Sequence, residues 1–145
     1  MFKKILVPVD GSETAWRALN NALEIGKKFE SEILVVNVIQ PYNNAALLAV
    51  PLDHATINQG NSELEKVGDK VLELAKEMVG SYPHKVEYDM EVGHPSERII
   101  ALSKKEEADA IVLGSRGLSG IAEFFLGSVS SKVSQYATVP VLIVK

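Results

Sequence analysis

The apolar positions of this chain fall into five short runs, separated by segments in which they recur every three or four residues. Lys4–Val9, Ile33–Ile39 and the stretch Asp109–Leu113 are almost continuously apolar at their centres, as strands buried on both faces of a parallel sheet are. Pro8 cannot donate to a ladder, so it marks the approach to the C-terminal end of the first strand. Val86–Val92 reads V-E-Y-D-M-E-V, a strict alternation that predicts an edge strand with one face buried and one in water. The last run, Val139–Val144, is wholly apolar.

Between these runs the period changes. Asp10-Gly11-Ser12 forms a turn with Ser12 as N-cap, and Trp16, Leu19, Ala22, Leu23, Gly26 and Phe29 follow at helical spacing. Leu64, Val67, Gly68, Val71, Ala75, Met78 and Val79 predict a second helix ending near Gly80. Pro95 opens a third, carrying Ile99, Ile100 and Leu102, and Val129, Val133 and Tyr136 mark a short fourth after Ser128. From Pro41 to about Asn61 there are two prolines, several asparagines and a small apolar patch at Ala45–Val50. That pattern predicts a long irregular connection, either a lid or an oligomer contact.

Strands alternating with helices place the chain in the α/β class. The expected architecture is one domain, residues 1–145, built on an open, doubly wound, parallel five-stranded sheet with helices on both faces. The alternating third strand belongs at one edge and the fifth at the other, which gives the order 3-2-1-4-5. Connections then reverse between strands 1 and 4 and open a crevice at their carboxyl ends, where such sheets bind ligands. A wholly apolar strand at the opposite edge invites a second chain, so Val139–Val144 is the expected homodimer contact.

Composition narrows the function. The 145 residues carry a net charge of −4 and no block of Lys and Arg, which argues against nucleic acid as a partner. Cysteine is absent, so disulfide and thiolate chemistry are excluded. The longest apolar runs are strand-length, far short of a membrane span. The start M-F-K-K-I-L-V-P lacks the apolar core and cleavage site of a signal peptide. A cytoplasmic location is the expectation.

The chemistry-bearing stretch is Ala110–Ser131. A buried strand stops at Gly114, Gly117 and Gly120 follow, and Gly127-Ser128 opens another helix. Glycines let backbone N–H groups approach a ligand closely, and Ser128, Ser130 and Ser131 add hydroxyls where a helix start presents free N–H groups. Arg116 is the only full charge between Ala110 and Glu123. Together these describe a polyphosphate cradle. Neither G-x-x-x-x-G-K-[ST] nor G-x-G-x-x-G occurs, which argues against a P-loop or a dinucleotide site. Asp10, at the end of the first strand, either caps the turn or accepts a ribose hydroxyl or helps to hold a cation. Main-chain groups near Val38 stand where an adenine edge would be read, unless Val38 is a plain core residue. Pro8, Val9, Ser12, Leu113 and Ser115 complete the candidate pocket at the same strand ends.

No catalytic residue is assigned. His94 is the best candidate base, with a capping or surface role as the plainer reading. His54 and His84 are too far apart for a metal triad, and neither Ser12 nor Ser128 has a His/Asp relay.

The spacing Gly114-x2-Gly117-x9-Gly127-Ser128 resembles the ATP-binding signature G-x2-G-x9-G-[ST] of the universal stress protein family. V-P-V-D-G-S, V-G-H-P, G-S-R-G, G-S-V-S and V-P-V-L-I-V extend the resemblance along nearly the whole chain. The resemblance implies an adenine nucleotide alpha hydrolase-like, Rossmann-like fold, with Asp10 on ribose and main chain around Val38 on adenine. It also implies that Gly114, Arg116, Gly117, Gly127, Ser128, Val129 and Ser130 surround the phosphates of ATP, ADP or AMP, which would themselves carry Mg2+. The functional expectation is an ATP-binding stress-response module working as a nucleotide-dependent switch. A weak ATPase of the same fold is the alternative, and a structural dimer with an empty glycine loop is the third possibility.

Overall fold

The computed structural model describes residues 1–41, 53–117 and 125–145. The order along the chain is β1 (Lys4–Pro8), α1 (Glu13–Phe29), β2 (Glu32–Ile39), α2 (His54–Val79), β3 (Val86–Val92), α3 (Pro95–Lys105), β4 (Ala110–Gly114), α4 (Ser128–Tyr136) and β5 (Val141–Val144). Among the described residues all four strand pairings are parallel and the sheet runs β3-β2-β1-β4-β5, the order expected from the two edge assignments.

The apolar runs are continuous because alternate residues serve two cores. Ile5 and Val7 pack with Ile33, Val35 and Val112 against Ala18, Leu19 and Ala22 of α1 and Val71, Leu72 and Ala75 of α2. Leu6 joins Leu34, Val36, Ile111 and Leu113 on the other face, against Ile99 and Leu102 of α3 and Val133 of α4. A one-residue slip in β1 would exchange the two faces. At register Leu6↔Leu34 and Leu6↔Ile111, β1 is locked between β2 and β4. The sheet therefore delivers the ends of β1 and β4 side by side.

Four details depart from the pattern. The last strand begins at Val141, because Pro140 offers only its carbonyl, which accepts from Ile111 at 2.9 Å. The third strand is not cleanly half-buried: Val86 to Glu91 are all partly exposed. Two of its three carboxylates meet cations, with Glu87 paired to Lys85 at 2.9 Å and Glu91 accepting from Arg98 Nε at 2.9 Å. The connection after β2 is shorter than expected, since α2 already starts at His54, where the Asp53 side chain accepts from Thr56 N–H at 2.8 Å. His54–Asn61 carries no apolar stripe because that part of the helix does not lie on the sheet; the buried positions of α2 begin at Gly68. Finally, Phe29 and Val67 are mostly exposed, Phe29 stacking on Phe2 with ring centroids 5.2 Å apart. The Ala45–Val50 patch and Gly120 lie outside the described residues.

Candidate functional site

Beyond Pro8 the chain leaves the sheet. Val9 N–H makes the last rung, to the Val36 carbonyl at 2.8 Å. Asp10 then folds its Oδ1 back onto the Ser12 N–H at 2.9 Å, and Gly11 takes φ +90, a region that costs glycine nothing. Ser12 caps α1, accepting from Ala15 N–H at 3.3 Å.

The β4 end is tied to this turn. Thr14 Oγ1 donates to the Arg116 carbonyl at 2.8 Å, and Ser12 Oγ reaches the same oxygen at 3.4 Å. Ser115 N–H extends the β4–β5 ladder to Val144 O at 2.8 Å, and its carbonyl accepts from Gly127 N–H at 2.7 Å and from Ser130 Oγ at 2.8 Å. One carbonyl thus fastens the start of α4 to the end of β4.

The glycines are required by these close approaches. A Cβ on Gly114 would stand 2.8 Å from Thr14 C and 2.9 Å from Ala15 N, both backbone atoms of α1. On Gly127 it would stand 3.2 Å from the Ser115 carbonyl oxygen. Gly117 differs: its nearest obstruction is Asp10 Oδ2 at 3.0 Å. The carboxylate from β1 and the glycine segment from β4 therefore face each other.

Between them lies a cleft of ≈ 320 Å³, at the small end of the range for small-molecule sites. It is lined by Pro8, Val9, Asp10, Val38, Leu113, Gly114, Arg116, Gly117, Gly127, Ser128, Val129 and Ser130, together with Ala15, Val36, Pro95 and Ile99. One wall is apolar: Val36, Val38, Ile99 and Leu113 continue the core on the α3–α4 side. The opposite end is main chain and small side chains. There α4 begins at Gly127 with no side-chain cap, so its first-turn N–H groups and positive dipole end are offered to an acceptor. Arg116 supplies positive charge and Asp10 a carboxylate.

Ser12 and Ser115 are buried behind the lining, committed to the cap and to the loop closure. Ser130 lines the cleft, but its hydroxyl is spent on the Ser115 and Gly127 carbonyls, leaving its main chain to face a ligand. His94 is exposed, with Nδ1 3.2 Å from Ser96 Oγ, and Pro95 and Ile99 rather than His94 reach the cleft. Among the described residues no group of three or more His, Asp or Glu side chains could hold a metal ion, and no helix is long and apolar enough to cross a membrane. Four lining residues, Ala15, Val36, Pro95 and Ile99, escaped the sequence reading. Val36 and Val38 share a strand face at i, i+2, and Pro95 and Ile99 share a helix face at i, i+4, so these periodicities could have paired them.

The family model of the universal stress protein family matches residues 1–145. Universal stress protein YxiE of Bacillus subtilis is 37% identical over 150 residues, covering 100% of both chains. The solved structure of MJ0577, a Methanocaldococcus jannaschii protein, superposes with TM-score 0.81 at 31% identity, covering 100% of this chain and 96% of that one. A universal stress protein from Archaeoglobus fulgidus, solved in complex with dAMP, has the same fold at TM-score 0.73 and 23% identity, with 100% of each chain covered.

Proposed function

The chain belongs to the universal stress protein family, and from that premise we propose that its cleft binds an adenine nucleotide, ATP or the related ADP and AMP, as the input of a stress-responsive switch. One observation carries the reading: an apolar wall, a carboxylate and a main-chain N–H cradle converge on one cleft at the switch point of the sheet. The wall from Val36 to Leu113 suits a base, whose flat faces gain from burial. Asp10 Oδ2 suits a ribose hydroxyl, a donor to a charged acceptor. The first turn of α4 with Gly114–Gly117 and Arg116 suits the phosphates. The dAMP held by the Archaeoglobus fulgidus relative is a molecule of this class.

Any Mg2+ would be carried by the phosphates, which supply the hard oxygen ligands the ion prefers. The cleft is organised to hold rather than to turn over. Asp10 is the one carboxylate in its described lining, and one of its oxygens is already committed to Ser12. The output surface in this reading is a homodimer in the cytoplasm. Its contact would run along β5, an edge strand whose Leu142 is 43% exposed, because such an edge offers unpaired backbone and apolar area.

The test is the nucleotide content of protein purified without added ligand, released by denaturation and separated by chromatography, beside a Gly117→Val control. Adenine nucleotide in the parent and none in the control is the expected result. Parent protein that is empty and also fails to take up millimolar ATP would refute the proposal.

A further inference from the structure

Asn37 is the one polar side chain in the apolar run of β2 from Ile33 to Ile39, and it is 7% exposed. Its Nδ2 donates to the Val9 carbonyl at 2.9 Å. That is the chemically required orientation, because only the NH2 end of the amide can face a carbonyl. The reason for the bond lies in the topology. β1 and β2 pair backbone to backbone from Lys4↔Glu32 to Pro8↔Val36, and then β1 turns out of the sheet. Val9 stays buried at 2% exposure, and a carbonyl leaving the ladder in a buried place needs a donor. The Asn37 side chain supplies it.

The Val9 carbonyl and the Asp10 N–H belong to one rigid peptide plane. Holding the carbonyl therefore sets the plane from which Asp10 departs. Asp10 Oδ1 is fixed on the Ser12 N–H, and Oδ2 is the oxygen turned toward Gly117. Behind Asn37 stands α2: a Cβ on Gly68 would lie 2.7 Å from Asn37 Oδ1 and 3.0 Å from Met90 Cε. The amide is thus clamped between a helix and the carbonyl it orients.

We propose that Asn37 is a positioning residue for the nucleotide site, aiming the Asp10 carboxylate at the ribose hydroxyls through the Val9 peptide; this rests on the adenine-nucleotide reading above. Asn37 is not in the cleft lining and acts entirely from behind it. The bond also links the packing of α2 to the ribose end of the cleft.

The experiment measures dissociation constants for ATP and for 2′,3′-dideoxy-ATP, which lacks both hydroxyls, on the wild type, Asn37→Leu and Gly68→Ala. Wild type should prefer ATP on the order of tenfold, the worth of a hydrogen bond to a charged group. In Asn37→Leu that preference should collapse toward one, with ATP weakened to the dideoxy level and dideoxy-ATP unchanged. Gly68→Ala adds a methyl that displaces the amide while raising helix propensity, so it decides the matter if Asn37→Leu does not fold; it should lose the preference too. A variant that weakens both nucleotides equally, with the preference intact, overturns the proposal by making Asn37 merely structural. Wild type that binds both nucleotides equally removes Asp10 from ribose and Asn37's role with it. Wild type that binds neither refutes the nucleotide reading itself.

Discussion

Gly114 and Gly117 stand three positions apart in one loop signature, yet the same substitution at each should do opposite things. Neither has positive φ, so an alanine meets no backbone strain and only space decides. At Gly114 the new Cβ would be 2.5 Å from Thr14 Oγ1, 2.8 Å from Thr14 C and 2.9 Å from Ala15 N. Two of those atoms are backbone in the first turn of α1, whose cap and Thr14–Arg116 bond hold the site together. Overpacking of this kind costs about 1–3 kcal/mol. For 145 residues the unfolding entropy is about 0.3 kcal/mol/K, so the melting temperature should fall by about 3–10 °C. At Gly117 the Cβ meets only Asp10 Oδ2 at 3.0 Å, the end of a side chain. The lost glycine freedom in the unfolded chain offsets that contact, being worth about 0.4–1 kcal/mol. Gly117→Ala should therefore melt within about 2 °C of the parent, yet bind ATP at least tenfold more weakly because the methyl enters the cleft. Calorimetric melting and ATP titration on both variants check the pair. A Gly114→Ala protein as stable as the parent, or a Gly117→Ala protein that unfolds early, would refute the division of labour.

Three further outcomes are expected. Ser130→Ala removes one of the two donors to the Ser115 carbonyl, which keeps the Gly127 N–H, and should cost about 0.5–1.5 kcal/mol, read by urea unfolding. The Glu87 carboxyl is held below its ordinary value, first by its hydrogen bond to Lys85 and then by the charges of Lys85 and Lys4. A lowered carboxyl contributes stability above the unfolded pKa and loses it as pH falls through the folded one. The melting difference between parent and Glu87→Gln should therefore be present at pH 7, small for an exposed pair, and vanish in acid. If the proposed dimer forms along β5, Leu142→Lys, which places a charge on that exposed edge, should sediment as a monomer where the parent sediments as a dimer, with the melting temperature of each protein compared at equal concentration.

Strand order was legible because edges and centres differ in pattern: β1 and β2 are apolar on both faces, while β3 alternates and β5 ends the chain. The glycine segment and Asp10 were legible because turns and close approaches restrict residue choice. What periodicity could not show was packing through single atoms. The first two turns of α2 carry no apolar stripe, and only the Asp53–Thr56 cap announces them. Ser130 looks like a ligand donor in the sequence, whereas its hydroxyl closes the loop onto the Ser115 carbonyl. Asn37 looks like a flaw in a strand until the Val9 carbonyl is seen to need it. Val92 is exposed at the edge although it completes an alternating run, because position in the sheet overrides the pattern.

The most direct test of the cleft as a nucleotide site is an isothermal titration of ATP with Mg2+ into ligand-free protein, in parallel with Gly117→Val. The expected result is saturable binding, one nucleotide per chain, and none to the variant, whose melting temperature stays close to the parent's. Equal heats from both proteins, or no binding to either, would contradict it.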